Sequence, residues 1–245
     1  MIRLATAALG LASLVASASG SIVNIDFSTD DSGDPLANGQ HIQSPDEFGA
    51  LFNISASGNN AGAAVFDTDP AGPNASGSDG DLLVGLGNAL ILQNANKAAQ
   101  STPGFFDVVD DSRRGGSVFF DFLAPVELRS LTLIDIDASA STLVTLTDAL
   151  GLSRTYDVPD RWTYDPEITP VGFSDLDLTT LADQPGETGL LATASEDAGF
   201  DASAVVRMTV RFDGSAALDN LVFVPTPGAA ALAALGFLAV GRRRR

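Results

Sequence analysis

No cysteine occurs anywhere in the 245 residues. That single absence removes disulfides, zinc–thiolate sites, iron–sulfur clusters and thiol nucleophiles. Histidine occurs once, at His41. It could act as a base, but no G-x-S-x-G elbow accompanies it, and its polar surroundings predict an exposed loop residue. Basic residues are scarce as well, 13 against 31 acidic ones. Five of them are Arg3 and Arg242 to Arg245, so Ser19 to Val224 holds eight basic against 31 acidic residues, a formal charge of −23. Such a surface repels nucleic acid and anionic lipid and attracts cations. Phosphate-binding glycine loops are missing too: Gly85-Leu86-Gly87 lacks a third glycine and a following helix.

What the chain does have is apolar content of 45%, with 24 glycines and 12 prolines. That is enough to bury a core and to supply many turns. Ala204 to Phe212 alternates, with Val206, Met208, Val210 and Phe212 on one face and Arg207, Thr209 and Arg211 on the other. Ser117 to Phe122 does the same with Val118, Phe120 and Phe122 inward. Pro125 to Asp137 alternates with a change of phase near Arg129-Ser130, which predicts a bulge. Further strands are expected at Ile22–Phe27, Phe48–Ala56, Ala89–Gln93, Thr142–Thr147, Leu152–Val158 and Ala216–Val224, separated by turns such as Gly115-Gly116 and Asp213-Gly214. Asp69 to Gly80 is poor in apolar residues and reads as an exposed loop. Short strands with polar turns, no internal repeat and no long helical pattern predict an all-β, jelly-roll-type β-sandwich over residues 19–224.

The ends differ from this middle. Arg3, the apolar stretch Leu4 to Val15 and Ala16-Ser17-Ala18 have the three parts of a cleavable signal peptide, residues 1–18. At the other end, Pro225 and Pro227 precede 14 uncharged residues, Gly228 to Gly241, and then Arg242, Arg243, Arg244 and Arg245. A short hydrophobic transmembrane helix is expected there, with the arginines snorkelling and staying cytoplasmic. Both ends independently place the acidic middle outside the cytoplasm.

A proline motif, a short apolar helix and a terminal arginine cluster resemble the PEP-CTERM sorting signal of exported proteins in Gram-negative bacteria. The same tail is also labelled an ice-binding protein C-terminal domain. The resemblance covers residues 225–245 and implies processing by signal peptidase and an exosortase, with transient membrane anchoring before display at the cell surface or release. This chain has Pro225-Thr226-Pro227 where the motif's name has Pro-Glu-Pro. Nothing in the middle suggests ice binding, since Thr145 and Thr147 stand alone. From about Ile25 to Phe223, the segments EFGALFNISA, AAVFDTDP, DGDL, ALILQ, DDSRRGGSVFFDF, SLTLIDIDAS and FDGSAALDNLVF are similar to a recurrent domain of exported bacterial proteins. That resemblance implies a lectin-like or carbohydrate-binding-module-like sandwich and transfers no catalytic residue.

Three constellations could carry chemistry. Asp67-x-Asp69 and Asp79-x-Asp81 flank a Gly/Ser/Asn loop, and Asp110-Asp111, Asp135 and Asp137 follow. Calcium takes six to eight oxygens and suits such a loop. Asp26 and Asp219, on the expected first and last strands, form a second pair where an ion would pin both ends. The same aspartates also read as turn formers and strand-edge solubilisers. Tyr156, Trp162 and Tyr164 cluster among Asp157, Asp160, Arg161 and Asp165, a composition that suits sugar rings or, equally, a buried sandwich edge. With 31 acids, a glycosidase pair can be neither nominated nor dismissed. The reading is therefore a non-enzymatic envelope or matrix module for calcium and polysaccharide, with a secreted carbohydrate-active hydrolase as the alternative.

Overall fold

The computed structural model describes residues 20–43, 45–77, 79–136, 141–163 and 172–226. They are all-β, about 49% strand and 3% helix, in a large antiparallel sheet. In chain order the strands are β1 (Val23–Ile25), β2 (His41–Ile42), β3 (Phe52–Ser57), β4 (Asn60–Asp67), β5 (Asn88–Asn94), β6 (Gly116–Ile134), β7 (Thr142–Asp148), β8 (Ser153–Val158), β9 (Phe173–Asp177), β10 (Gln184–Pro185), β11 (Leu191–Glu196), β12 (Val205–Phe212) and β13 (Ala217–Pro225).

The 19-residue β6 organises the rest. Its first half pairs with β3 and β12, and its second half with β13 and β9. Alternation buries Val118, Phe120, Phe122, Val126 and Leu128, then shifts so that Leu131 and Leu133 face the same core. The shift is the expected bulge: Val222 pairs with Ser130 and Phe223 with Leu128, leaving Arg129 as the extra residue. The sequence reads as two strands here, but the bulge lets one strand run through. β12 contains a second bulge, between Val205 and Arg207. Val205 is fully buried and Val206 only half-buried, so Val205 takes the inward place expected for Val206.

The inward faces meet in one large apolar cluster. Phe52 stands at the centre of an aromatic group, with ring centroids 5.3 Å from Phe48, 5.5 Å from Phe120 and 5.6 Å from Phe122. Phe48 joins it from a turn, not from a strand: Leu51 and Phe52 donate backbone N–H bonds to its carbonyl, so β3 starts four residues later than expected. A smaller cluster covers the opposite face of β4 and β5. There Ala64, Phe66, Ala89 and Ile91 pack with Leu82, Leu83 and Phe106 from loops, while Ala63, Val65, Leu90 and Leu92 join the large core. Burial on both faces explains why ALILQ reads as a continuous apolar run.

The Gly115-Gly116 turn requires glycine. Both residues have positive φ, +61° and +143°, and a Cβ on Gly115 would lie 2.0 Å from the Phe212 carbonyl oxygen. The Asp69–Gly80 segment is largely exposed, as expected, and is pinned by buried Asn74, which donates to Asn38 Oδ1 and to the Asp67 carbonyl. The first and last strands are neighbours: Val23 pairs with Phe223 and Ile25 with Leu221. β13 runs through Pro225, and Thr226 donates its backbone N–H to the Pro125 carbonyl at 3.1 Å. Gly20 lies against Pro225, whose carbonyl oxygen would be 2.3 Å from a Cβ there. The two ends of the described domain therefore meet.

Candidate functional site

The β4–β5 loop, with Asp79 and Asp81, and the β5–β6 loop, with Asp110 and Asp111, bring one group of acids together. Gln93, fully buried, holds the β5–β6 loop by donating to the Lys97 and Val108 carbonyls and accepting from the Asp110 N–H. Asp110 pairs with Lys97 and accepts from Asn94 Nδ2 at 2.6 Å. Asp111 accepts from the Ser215 hydroxyl at 2.5 Å and the Ala216 N–H at 2.8 Å, and gives its own N–H to Asp79 Oδ2. The Asp79 and Asp110 carboxyls are near neighbours, so each disfavours ionisation of the other. Burial, then the charge of Asp110, pushes Asp79 up to about 6. Burial pushes Asp111 to about 7 against its two hydrogen bonds, with Asp79 and Asp81 adding repulsion. Asp81 is raised by burial, and its Oδ1 is shielded from solvent without a hydrogen-bond partner.

The second group sits where the chain closes. Asp219 on β13 pairs with Thr132 on β6, and Thr132 pairs with Asp175 on β9, so the three share one face. Thr132 donates its hydroxyl to Asp175 Oδ1 at 2.5 Å. Asp219 is fully buried. Its Oδ2 accepts from Asn220 Nδ2 at 3.1 Å, but its Oδ1 has no hydrogen-bond partner among the described residues. Burial pushes it to about 7, and the charges of Asp26 and Asp175 reinforce the rise. Asp26 and Asp175 are exposed. Among the described residues, no three His, Asp or Glu side chains already converge closely enough to hold a metal ion.

The other expected site residues take different places. Asp67 accepts the Asp69 N–H and Asp69 accepts the Ala71 N–H, so this pair shapes its own turn. Asp135 is fully buried with φ of +57° after β6, and Asp137 lies outside the described residues. His41 is half-buried in β2 and not in an open loop; its ring centroid is 5.0 Å from that of Phe106, and burial lowers its pKa.

The expected sugar-binding aromatics need correcting. Tyr156 and Trp162 are fully buried in the large core. Tyr156 donates its hydroxyl to the Leu178 carbonyl at 2.6 Å, and Trp162 donates Nε1–H to the Gln184 carbonyl at 3.2 Å. A stacking platform needs a free ring face, and these rings have none. Their polar atoms are satisfied internally, as buried Tyr and Trp require. Tyr164 lies outside the described residues, as do residues 1–18, expected to be a signal peptide, and Pro227 to Arg245. Among the described residues, no helix is long and apolar enough to cross a membrane.

Sequence reasoning missed Asp175, Lys97 and Asn94. β9 buries only Leu176 of its five residues, so its apolar signal is too weak to mark a strand. The place of Asp175 beside Asp219 comes from pairing alone. No protein-family model matches the chain, and no curated protein matches it.

Proposed function

We propose that this chain is an exported cell-envelope or extracellular-matrix module, a non-enzymatic β-sandwich of jelly-roll type that binds calcium and polysaccharide. The observation that carries the calcium reading is Asp219 Oδ1, a buried oxygen with no partner, flanked by Asp26 and Asp175. An orphaned carboxylate oxygen costs about 1–3 kcal/mol or more, and a hard cation shared with two exposed carboxylates offsets that cost. The ion would tie β1, β9 and β13 together, which serves a chain with no disulfide outside the cytoplasm. The Asp79, Asp81, Asp110 and Asp111 group is a second position for the same chemistry.

Thermal unfolding of the full chain tests this. Calcium at a hundredfold excess over its Kd should raise Tm by roughly 5–10 °C. Magnesium should not, because it resists a flexible oxygen cage. Asp219→Asn should remove most of the shift, and Asp81→Asn reports on the second group. Equal shifts with both metals would reduce the effect to charge screening. A calcium shift untouched by either substitution would discard both positions.

Export rests on the terminal segments and is tested by intact mass. Protein recovered from its native envelope should lack residues 1–18, and blocking the site by enlarging Ala16 and Ala18 should leave a membrane-held precursor. Deleting Gly228 to Arg245 should send the domain to the medium without a membrane-held stage. An unchanged fractionation time course would end the sorting proposal. Turnover in reducing-sugar assays on any bound glycan would favour the hydrolase alternative.

A further inference from the structure

Beside the first acidic group lies a small polar recess, open to solvent, lined by Asn59, Asn94, Asn96, Ser112, Arg113 and Arg114 among others. Its wall is fixed by local bonding. Asn94 accepts the Asn96 N–H at 3.0 Å and donates to Asp110, Ser112 donates its N–H to the Leu92 carbonyl, and Gly115 donates to the Ser112 carbonyl. Most of the other basic side chains of this acidic domain have found an acid: Lys97 with Asp110, Arg129 with Glu127, Arg154 with Glu196, Arg207 with Asp121 and Arg211 with Asp213. Arg113 and Arg114 are adjacent, exposed and unpaired among the described residues. The Asn59 and Asn96 side chains likewise make no hydrogen bond among the described residues. In a domain with this excess of acid, two neighbouring arginines without a carboxylate concentrate positive charge at one spot, and that spot is a recess.

We infer that this recess binds a sugar ring carrying a carboxylate, a hexuronate residue of an acidic polysaccharide. Arginine presents a planar fork that matches a carboxylate with two parallel N–H···O bonds. Asparagine supplies both a donor and an acceptor, which suits vicinal hydroxyls. The recess opens to solvent and has room inside for little more than the carboxylate group, so it receives that edge of one ring while the rest of the polysaccharide stays outside. The net negative surface repels polyanions at long range, and at physiological salt that repulsion is screened beyond about 8 Å. Short-range pairing with the two arginines then selects a carboxylate at the recess while the rest of the surface rejects it. The inference rests on the binding-module reading only in taking a polysaccharide as the source of the uronate.

Calorimetric titration of the full chain with trigalacturonic acid, in chelator, is the test. Galactotriose is the neutral control and inorganic sulfate the competitor. The acidic trimer should bind at least tenfold tighter than the neutral one. Arg113→Gln and Arg114→Gln should each weaken it about tenfold, and Tm should stay unchanged because both residues are exposed. Equal binding of the neutral trimer, displacement by sulfate at matching concentration, or indifference to both substitutions would overturn the assignment. Binding that appears only with calcium and survives both substitutions would place the uronate on the acidic groups and also overturn it. The calcium-dependent Tm shift is read separately, so either proposal can fail alone.

Discussion

Trp162→Ala should destabilise the domain by about 3–5 kcal/mol, lowering Tm by roughly 6–20 °C. Trp162 has no exposed surface and packs within the large core. Gly186 lies against its ring, with a hypothetical Cβ only 2.6 Å from the ring's Cδ1 atom, so the cavity left by truncation has backbone on one side and collapses poorly. The Gln184 carbonyl also loses its Nε1–H donor. Urea unfolding followed by circular dichroism would measure the change. Gly186→Ala should destabilise through the opposite defect, overpacking. A Trp162→Ala protein of unchanged stability that had lost glycan binding would restore the sugar-platform reading and contradict the burial described above.

Stability in chelator should fall as pH rises from 5 to 8. Asp111 and Asp219 titrate at about 7 in the fold against 3.8 ordinarily. Between those values the folded state holds protons that the unfolded chain has lost, so stability decreases with pH across the window and levels off above about 7. From pH 5 to 7 each group contributes roughly 2–3 kcal/mol. General repulsion among the surface acids acts in the same direction, so a variant must isolate the buried carboxyl. Asp219→Asn, whose amide mimics the protonated acid, should be more stable than the parent at pH 8 and remove about half of the slope due to the two groups. Calcium should flatten the profile, because a cation takes the proton's place on the ionised group. Stability that increases from pH 5 to 8 in chelator would contradict the assignment of buried, proton-holding carboxyls.

The strands with strict alternation were legible in advance. Val118, Phe120 and Phe122 face the core as period two demands, and the bulge at Arg129 shows up as a slipped phase. β4, β9 and β11 were not. β4 (NAGAAVFD) opens on Asn, Ala and Gly and is buried on both faces through Ala63 to Phe66, whereas β9 and β11 each bury a single side chain. None offers a one-sided pattern.

The export reading of the termini and the lack of cysteine come from the sequence alone, because linear motifs and composition are where compartment and redox chemistry are read. The excess of aspartate is equally plain there, but not which aspartates matter. Asp67 and Asp219 look alike in the chain. One satisfies its own turn, and the other is buried with an oxygen left over. Tyr156 and Trp162 likewise fit a sugar-binding patch or a buried edge in sequence, and the fold makes them core. Exposure is set by which strands cover a residue, and those strands come from far away in the chain, as the Asn24–Asn220 contact across 196 positions between the first and last strands illustrates. Only the tertiary pairing brings Asp26, Asp175 and Asp219 together, and only it leaves Arg113 and Arg114 unpaired beside a recess.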